Sequence, residues 1–449
     1  PGQVVEIASG SYNNVSLNIS KSGTAAAPLI LRAKTAGGVT ISGDSRIVIG
    51  GDHVIVSGFV FKDVRRAKSN VVRFLDSQHS RLTNSVFDGC GDLNNRAYQI
   101  IKIDRSSHCR VDHCYITASR AVSLGYQLYY ASENGTVEHN RFDHNVFHRI
   151  EPLASNTLEA VQLGAGGQSG GASVTDLVRT FTVVERNLFW DARGDSEIIS
   201  SKTSANIIRE NTFINSSSLD PRGQIVLRGG DDALVAGNVL VNTYGCVTLS
   251  GEGHRIINNY CEHVRDSSIR LRAANLSHSH PYRAVRGALI IHNTVISPYA
   301  FKSKDAPASA IRLEDSTASN NDIANNLLVV DQADSRAMEG LGQGNRFANN
   351  LIWVKTPAVA GDALPSGGAL SSQDPLLTAV GGVYRPSSSS PVVNAGAKGF
   401  AASVVADIDG ETRDKSPDVG CDEVRSASSS PRRRAKDLLP AWIVSRYTL

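Results

Sequence analysis

The sequence predicts an all-β fold, a right-handed single-stranded parallel β-helix in which short strands coil around one elongated core. Short apolar segments separated by Gly, Asn, Asp and Ser follow one another from the first residues, and no helical periodicity of useful length interrupts them. A motif with Asn between apolar residues then recurs at intervals of 21 to 47 residues. Short strands that repeat with a period in the twenties are typical of a β-solenoid.

The Asn motif is expected to mark one corner of each coil. It reads Val137-Glu138-His139-Asn140-Arg141-Phe142 in one coil, and the later copies centre on Asn187, Asn211, Asn238, Asn259, Asn293, Asn326 and Asn350. Asn tolerates the left-handed backbone conformation of tight corners, and stacked Asn side chains can hydrogen-bond from coil to coil. The 47 residues between Asn140 and Asn187 are nearly two periods, which predicts a degenerate copy near residue 163. A β-propeller is the alternative, but its blades need about 40 residues or more.

The predicted β-helix domain covers residues 1–424, and residues 425–449 are predicted to form a C-terminal tail. A solenoid grows in one dimension, so 449 residues need not divide into several globular domains. Regular coils fade after about residue 355, where Ala, Gly, Ser and Pro become frequent. Residues 356–424 are therefore expected to wrap irregularly over the last coils, whose open edges need a cap.

Composition excludes several classes of protein. The chain has 46 Lys and Arg against 43 Asp and Glu, a net charge of +3, which does not indicate a nucleic-acid binder but allows local recognition of a polyanion. The sequence contains no run of 18 apolar residues, so a membrane span is not expected. No signal peptide is visible, an appearance that a mature secreted or periplasmic protein shares with a trimmed chain. The six cysteines lack paired CxxC spacing, so zinc is not expected and buried free thiols are favoured over disulfides.

Two carboxylates lie close together in one predicted strand. Asp195 and Glu197 stand two residues apart, so in an extended strand they share a face, while Ile198 and Ser200 point the other way. Converging carboxylates repel each other unless a cation or a proton lies between them, and calcium accepts oxygen ligands of this kind. Asn156, one coil earlier, can add an amide oxygen. A solvated strand end with ordinary surface charges is the simpler interpretation of this stretch taken alone.

Lys202 and Arg228 extend this set toward catalysis. They are 26 residues apart, about one coil, and are therefore expected to be neighbours. In a uronate polymer, removal of the C5 proton builds negative charge on the adjacent carboxylate, which a bound cation can neutralise. A lysine with a lowered pKa can take the proton, and an arginine can assist the leaving group. β-Elimination is thus one coherent use of these residues, although glycosidases, pectate lyases, phage tailspikes and adhesins also use β-helices.

At these residues the sequence resembles polysaccharide lyase family six, which contains alginate lyases and chondroitinase B. The resemblance extends from about residue 3 to residue 424, and its most specific segments are Ser196–Lys202, Leu227-Arg228 and the closing Pro417–Glu423. It implies a right-handed parallel β-helix, with Lys202 as Brønsted base and Arg228 as Brønsted acid. It also implies Ca²⁺ held against the substrate carboxylate by Asn156, Asp195 and Glu197.

The sequence departs from the family pattern at four places. Asp195 stands where the first acidic ligand is usually Glu, Gln162 where Arg is usual, and Gly229 where His often follows the catalytic arginine. A later arginine is missing from Gly245–Thr248. Substrate contacts are expected from a set of polar side chains near the predicted site, namely Gln162, Arg270, Arg272, Tyr282 and Arg283.

The favoured function is a secreted or periplasmic lyase whose partner is an anionic polysaccharide, most of all alginate. A lyase for chondroitin or dermatan sulfate is the second hypothesis, and the missing arginines argue mildly against it. A non-catalytic β-helix that binds polysaccharide is the third. Retention of both Lys202 and Arg228 argues against a pure binding protein, which has no need of that pair.

Overall fold

The fold is the right-handed parallel β-helix that the sequence predicts, built from three parallel sheets of thirteen strands each. Every third strand along the chain joins the same sheet, so each coil contributes one strand to each sheet. The structure is a computed structural model, which describes residues 2–65, 69–92, 98–128, 135–152, 158–165, 178–216, 219–275, 282–299, 307–355, 359–370, 372–403, 406–425 and 433–449.

Sheets A and B follow each other in every coil. Sheet A contains β1 (Val4–Ile7), β4 (Leu29–Ala33), β7 (Val54–Ser57), β10 (Arg81–Thr83), β13 (Arg110–Asp112), β16 (Arg141–Asp143), β19 (Val183–Glu185), β22 (Ile207–Arg209), β25 (Leu234–Ala236), β28 (Arg255–Ile257), β31 (Leu289–Ile291), β34 (Asp322–Ala324) and β37 (Arg346–Ala348). Sheet B contains β2 (Gly10–Asn13), β5 (Val39–Ser42), β8 (Phe59–Lys62), β11 (Val86–Asp88), β14 (Tyr115–Thr117), β17 (Val146–Ile150), β20 (Leu188–Ala192), β23 (Thr212–Ile214), β26 (Val239–Val241), β29 (Tyr260–Glu262), β32 (Thr294–Ile296), β35 (Leu327–Val330) and β38 (Leu351–Val354).

Sheet C completes each coil and carries the candidate site. It contains β3 (Ser16–Ile19), β6 (Arg46–Ile49), β9 (Val72–Leu75), β12 (Ile101–Asp104), β15 (Leu124–Tyr126), β18 (Val161–Leu163), β21 (Ile199–Ser201), β24 (Ile225–Leu227), β27 (Val247–Leu249), β30 (Ile269–Leu271), β33 (Ala308–Leu313), β36 (Ser335–Glu339) and β39 (Val359–Gly361). The chain divides into two compact units. The first unit comprises residues 1–166, 174–206 and 433–449, and the second comprises residues 167–173 and 207–432.

In the first unit, apolar side chains from successive coils stack on one another inside the helix. Phe61 and Phe87 have ring centroids 4.6 Å apart, and Phe147 and Phe189 are 4.8 Å apart, with all four rings nearly or fully buried. Offset or parallel ring stacks contribute stability beyond their buried area. The inward positions of each short strand therefore form continuous apolar columns.

The chain returns to the first unit at its C-terminal end. Two short helices, α1 (Ala435–Leu438) and α2 (Ala441–Tyr447), bury Leu438 and Ile443 there. Arg446 of α2 donates from Nη1 to the carbonyl oxygen of Gly37 at 2.9 Å. A Cβ atom at Gly37 would lie 2.5 Å from the Trp442 ring, so only glycine allows this approach. The predicted boundary at residue 424 stays a prediction.

In the second unit, the expected asparagine ladder is present. Asn211, Asn238, Asn259, Asn293 and Asn326 each donate from Nδ2 to Oδ1 of the next ladder asparagine, at 2.9 to 3.0 Å, and the series ends at Asn350. The predicted coil-to-coil hydrogen bonds are thus confirmed. The expectation that these asparagines adopt the left-handed conformation was wrong. The residue before each one does so instead, for example Asn258 with φ of 55°.

The predicted degenerate copy near residue 163 is also wrong. Asn145, five residues after Asn140, is the ladder member of its coil and donates to Asn187 at 3.1 Å. Strand β16 pairs directly with β19, so the 42 residues from Asn145 to Asn187 form one coil and not two. Asn140 belongs to a second corner, where its Oδ1 accepts from the backbone of Cys109.

The C-terminal part of the second unit covers sheet B. An antiparallel hairpin, β40 (Leu377–Val380) and β41 (Val383–Pro386), and a 3-10 helix (Lys398–Ser403) follow the last coil. Val383, Val392 and Val419 pack against Leu327 and Ile296 of the sheet. Covering this face hides apolar side chains that would otherwise meet water.

The cysteines correct one expectation. Cys246 and Cys261 form a disulfide, so the preference for free thiols throughout was wrong for this pair. It is correct for the other four, which are free and buried, namely Cys90, Cys109, Cys114 and Cys421. Within the residues that the structure describes, no helix has the length and apolar character needed to cross a membrane.

Candidate active site

The segment from Asp195 to Lys202 is a bend that leads into a strand, and not a strand throughout. Strand β21 begins only at Ile199, so the argument that Asp195 and Glu197 share a strand face was wrong. The two residues are held together differently, because Oδ1 of Asp195 accepts a hydrogen bond from the backbone N–H of Glu197 at 3.1 Å. Ser200 does not point away either, since its hydroxyl donates to Oε2 of Glu197 at 2.8 Å.

Asp195 is a fully buried carboxylate in an unfavourable environment. Burial raises its pKa to about 6, and the negative charges of Glu159 and Glu197 act in the same direction, against hydrogen bonds from the Glu197 backbone and Ser196. Its Oδ2 atom has no hydrogen-bond partner among the described residues. A buried acceptor without a partner costs free energy, and a cation or proton at this position would remove that cost.

Lys202 is paired with an acid that the sequence analysis did not single out. Its Nζ lies 3.2 Å from Oε1 of Glu159, and the two side chains are only 8% and 13% exposed. The backbone N–H of Lys202 donates to the carbonyl oxygen of Leu163 in the preceding coil at 2.7 Å. The sequence held a signal for Glu159, because it lies three residues after Asn156 in the coil that was expected to face Lys202.

The donor set of this region fits a hard cation. Asp195 and Glu197 offer carboxylate oxygens, which calcium prefers, and one of these oxygens is buried without a partner. Asn156 lies in the segment 153–157, outside the described residues, so its expected part stays a prediction. In the part of the chain that the structure describes, no group of three or more His, Cys, Asp and Glu side chains is arranged to hold a metal ion. The predicted set contains only two such side chains, with an amide as the third donor.

In the second unit, Arg228 follows β24 and contacts an aromatic ring. Its guanidinium carbon lies 5.2 Å from the ring centroid of Tyr282, and that of Arg272 lies 4.3 Å from the same centroid. Tyr282 is held by paired backbone hydrogen bonds to Asn275, at 2.9 and 3.1 Å. Cations over an aromatic face are attracted by the ring quadrupole, so Tyr282 orients both guanidinium groups.

The other arginines expected to bind substrate are paired with carboxylates. Arg270 donates to Oδ2 of Asp266 at 2.7 Å, and Arg283 donates to Oδ1 of Asp231 at 2.7 Å. Glu314 lies within 3.5 Å of both Arg270 and Arg272. The positive charge of this surface is therefore largely balanced by its own acids.

The remaining predicted residues lie on the outward side of sheet C. Gln162, on β18 in the first unit, accepts a hydrogen bond from Nε2 of Gln99 at 2.6 Å. At Gly245–Thr248 in the second unit, where the family arginine is absent, Thr248 donates to Oε1 of Gln224 at 3.0 Å. Neutral amide and hydroxyl groups thus occupy two positions where the family resemblance implies positive charge.

Each unit offers a distinct chemical capability. The first holds a lysine against a carboxylate beside an under-coordinated acidic group, which suits proton abstraction next to a bound cation. The second presents an oriented arginine, which suits hydrogen-bond donation to an anion or to a leaving oxygen.

Comparison with known proteins gives a consistent picture. The family model described as chondroitinase B matches residues 1–370. The solved family six alginate lyase AlyGC is 25% identical, with 98% of this chain and 56% of that chain covered and a TM-score of 0.74. No curated protein sequence matches the chain.

Two further structures support the fold. A family six lyase from human gut microbiota, described as mannuronic acid specific, is 21% identical over 82% of this chain and 87% of that chain, with a TM-score of 0.63. The family six lyase Pedsa3628 from Pseudopedobacter saltans is 20% identical over 83% of this chain and 92% of that chain, with a TM-score of 0.62. The present chain spans about half the length of AlyGC.

Proposed function

This chain belongs to the chondroitinase B family, within polysaccharide lyase family six, and from that premise we propose that it cleaves a uronate polymer by β-elimination. The observation that carries the proposal is the contact between Lys202 and Glu159, two nearly buried charges next to the buried carboxylate of Asp195. Burying a lysine is costly, and a protein that only binds polysaccharide gains nothing from it. A lysine poised to exchange a proton justifies that cost.

The proposed reaction begins at the C5 proton of a uronate residue. Lys202, as a neutral amine, accepts that proton, and the Glu159 carboxylate, whose Oε1 lies 3.2 Å from Nζ, stabilises the ammonium that forms. Arg228, which contacts the Tyr282 ring, acts as the Brønsted acid and gives a proton to the bridging oxygen at C4 as that oxygen leaves with the electron pair of the C4–O bond. The C4–O bond breaks as the C4–C5 double bond forms, so cleavage leaves an unsaturated sugar and consumes no water.

Calcium is proposed as the cofactor. Asp195, Glu197 and Asn156 would hold it, and when bound it would neutralise the substrate carboxylate on which charge develops. The partnerless oxygen of Asp195 is the support from this chain's own residues. Asp195 is one methylene shorter than the usual glutamate, and the hydrogen bond from the Glu197 backbone fixes its orientation.

Alginate is the proposed substrate. Its only charge is one carboxylate per sugar, whereas sulfated polymers carry additional charge and would favour unpaired arginines in the groove. Here Arg270, Arg272 and Arg283 are paired with acids, and neutral side chains stand at Gln162 and Thr248. These features favour a polymer of moderate charge density.

A chondroitin or dermatan sulfate lyase is the second candidate. The observation that favours it is the matching family model, which is described as chondroitinase B and covers residues 1–370. The balanced charges of the arginines count against it. Non-catalytic binding of polysaccharide is the third candidate, and the buried Lys202 counts against that.

A secreted or periplasmic location is proposed with this function, because a long polysaccharide is degraded where it occurs, outside the cytoplasm. The disulfide between Cys246 and Cys261 supports an oxidising compartment.

The test is a substrate panel. The protein is incubated with polymannuronate, polyguluronate, chondroitin sulfate and dermatan sulfate, and the ultraviolet absorbance of the unsaturated uronate is followed. We expect a rise with one or both alginate blocks and little with the sulfated polymers. A rise with the sulfated polymers alone would replace alginate by the second candidate, and folded protein without activity on any polymer would leave only the binding function.

A further inference from the structure

A second region of the molecule has the composition of a saccharide site. In the second unit, a cleft of about 650 Å³ opens between sheet B and the β40–β41 hairpin. We call it the hairpin cleft. Its lining combines aliphatic side chains of sheet B and the hairpin with a polar and aromatic set, namely His263, Asp331, Trp353, Lys355, Asp374 and Tyr384. Its volume lies within the range of about 300–1,000 Å³ that small-ligand sites occupy.

Two aromatic side chains line this cleft, one from sheet B and one from the hairpin. Trp353 lies at the end of β38, in register with Val329 of β35, and remains only half-buried. Tyr384 lies on β41 and is 40% exposed, although its backbone N–H is fixed by the hydroxyl of Tyr260 at 2.9 Å. Exposed aromatic rings on a fixed backbone are suited to contact the apolar faces of sugar rings at little entropic cost.

A cation stands beside these rings. Nζ of Lys355 lies 4.2 Å from the ring centroid of Trp353, and no described carboxylate is within ion-pair distance of it. The side chain of His263 adds an exposed imidazole to the cleft. A ligand carboxylate could therefore pair with the Lys355 ammonium without displacing a carboxylate of the protein.

Acceptors for hydroxyl groups complete the lining. Asp331 uses Oδ1 to accept from the Gln332 side chain at 3.0 Å, and Asp374 uses Oδ1 to accept from the backbone of Leu376 at 2.8 Å. These internal hydrogen bonds fix each carboxylate and leave its second oxygen for a ligand. Fixed acceptors beside aromatic rings favour a polyhydroxylated ligand over a lipid, which would need an enclosed apolar cavity.

We propose that the hairpin cleft is a second saccharide-binding site, which holds a uronate-containing segment of the polymer on sheet B. Arg228, the proposed acid, follows a strand of sheet C, so the cleft belongs to a different face of the second unit. Lys355 pairs with the sugar carboxylate, Trp353 and Tyr384 contact the ring faces, and Asp331 and Asp374 accept from hydroxyls. The choice of ligand rests on the proposed function, whereas the existence of the site does not.

Binding stoichiometry tests the proposal. The full-length Lys202→Ala variant, which should not consume the ligand, is titrated by calorimetry with oligosaccharides prepared from alginate. We expect two binding events in this variant. Adding Tyr384→Ala and Lys355→Ala should weaken one event at least tenfold and leave the other unchanged. Both residues are exposed, so these substitutions should leave the unfolding midpoint nearly unaltered.

Val380→Ala is the matched control, because Val380 is 42% exposed on the same hairpin but does not line the hairpin cleft. It should leave both binding events intact. A single binding event in the Lys202→Ala variant, no binding at all, or two events that survive removal of Tyr384 and Lys355 would each overturn the proposal.

Lyase activity of the unmodified protein on the same polymer is measured in parallel, which separates this proposal from the proposed function. Activity with only one binding event would overturn the second site alone. A binding event that depends on Tyr384 and Lys355, in a protein without lyase activity, would support the second site and overturn the proposed function.

Discussion

Nζ of Lys202 lies 3.2 Å from Oε1 of Glu159, and almost no water reaches either side chain. The pair links two successive strands of sheet C, since Glu159 precedes β18 and Lys202 follows β21, and these strands pair in register. Charges buried in this way are strongly coupled, because the loss of one leaves the other without compensation.

A double-mutant cycle should measure this coupling. Glu159→Gln alone should destabilise the protein by about 3 kcal/mol, because it leaves the ammonium of Lys202 buried without its counter-charge. Glu159→Gln combined with Lys202→Met should cost less than the sum of the single changes, by about 1–3 kcal/mol. Urea unfolding at pH 7 supplies the three values, and strict additivity would show that the contact contributes nothing.

Calcium should act on stability and on activity through Asp195. Added Ca²⁺ should raise the unfolding free energy by about 2.7 kcal/mol at a hundredfold excess over its dissociation constant, and a chelator should reverse both this gain and the activity. Asp195→Asn should abolish the response to calcium. Asp76→Asn, at an exposed carboxylate, is the control and should preserve it. Unchanged activity after chelation, with no bound metal detected, would refute the calcium proposal.

The same Asp195→Asn change should stabilise the protein when calcium is absent. The carboxyl pKa of Asp195 is raised to about 6, so at pH 7 its charge is harder to hold in the folded than in the unfolded chain. Removing that charge should stabilise the calcium-free protein by about 3 kcal/mol. Thermal unfolding in chelator measures the effect, and a clear loss of stability would contradict the unfavourable burial described for this residue.

Tyr282 should matter through its ring and not through its hydroxyl. Tyr282→Phe keeps the face that Arg228 and Arg272 contact and should preserve kcat within about twofold. Tyr282→Ala should lower kcat by about tenfold or more with a smaller change in KM, because Arg228 loses its orientation. Equal losses in the two variants would instead assign the role to the hydroxyl group.

Stability should fall in mild acid because of His148. Burial, assisted by the positive charge of Arg149, lowers its pKa to about 4, whereas a histidine in the unfolded chain titrates near pH 6.5. Between these values only the unfolded state binds the proton, so folding stability is lost as pH falls from about 6.5 to 4, by roughly 3 kcal/mol. His148→Phe keeps a ring to stack on Trp190 and should make this decline shallower, while His292, whose pKa burial lowers to about 3, still contributes to it. An equally steep decline in the variant would exclude His148 as its source.

The fold was predictable because its signal is local and repeated. Each coil carries its own strands and turns, and the coils from Asn145 onward also carry a ladder asparagine, so an error in one coil did not disturb the others. The error at Asn140 arose because this coil carries an asparagine at each of two corners five residues apart, and only the hydrogen bond from Asn145 to Asn187 shows which corner continues the ladder.

The roles of the predicted site residues stay predictions, and the local geometry of Asp195 and Glu197 differs from the one that the sequence predicts. Strand periodicity placed Asp195 and Glu197 on one face, but the strand starts at Ile199, and local hydrogen bonds bring the two carboxylates together instead. Glu159 was missed because pairing across coils depends on the register of β18 and β21, which loop lengths between the strands conceal. The disulfide links Cys246, just before β27 of sheet C, to Cys261 in β29 of sheet B, and a separation of 15 residues does not by itself predict such a pairing.

The most direct test of the central claim is the rate at which unsaturated uronate forms from alginate, compared for the unmodified protein, Lys202→Ala and Lys62→Ala. Lys62, an exposed lysine on β8, is the matched control. The unmodified protein and Lys62→Ala should form product at equal rates, and Lys202→Ala should be slower by at least about a hundredfold, since general-base catalysis contributes that much or more. Full activity of a folded Lys202→Ala variant would contradict the assignment of the base.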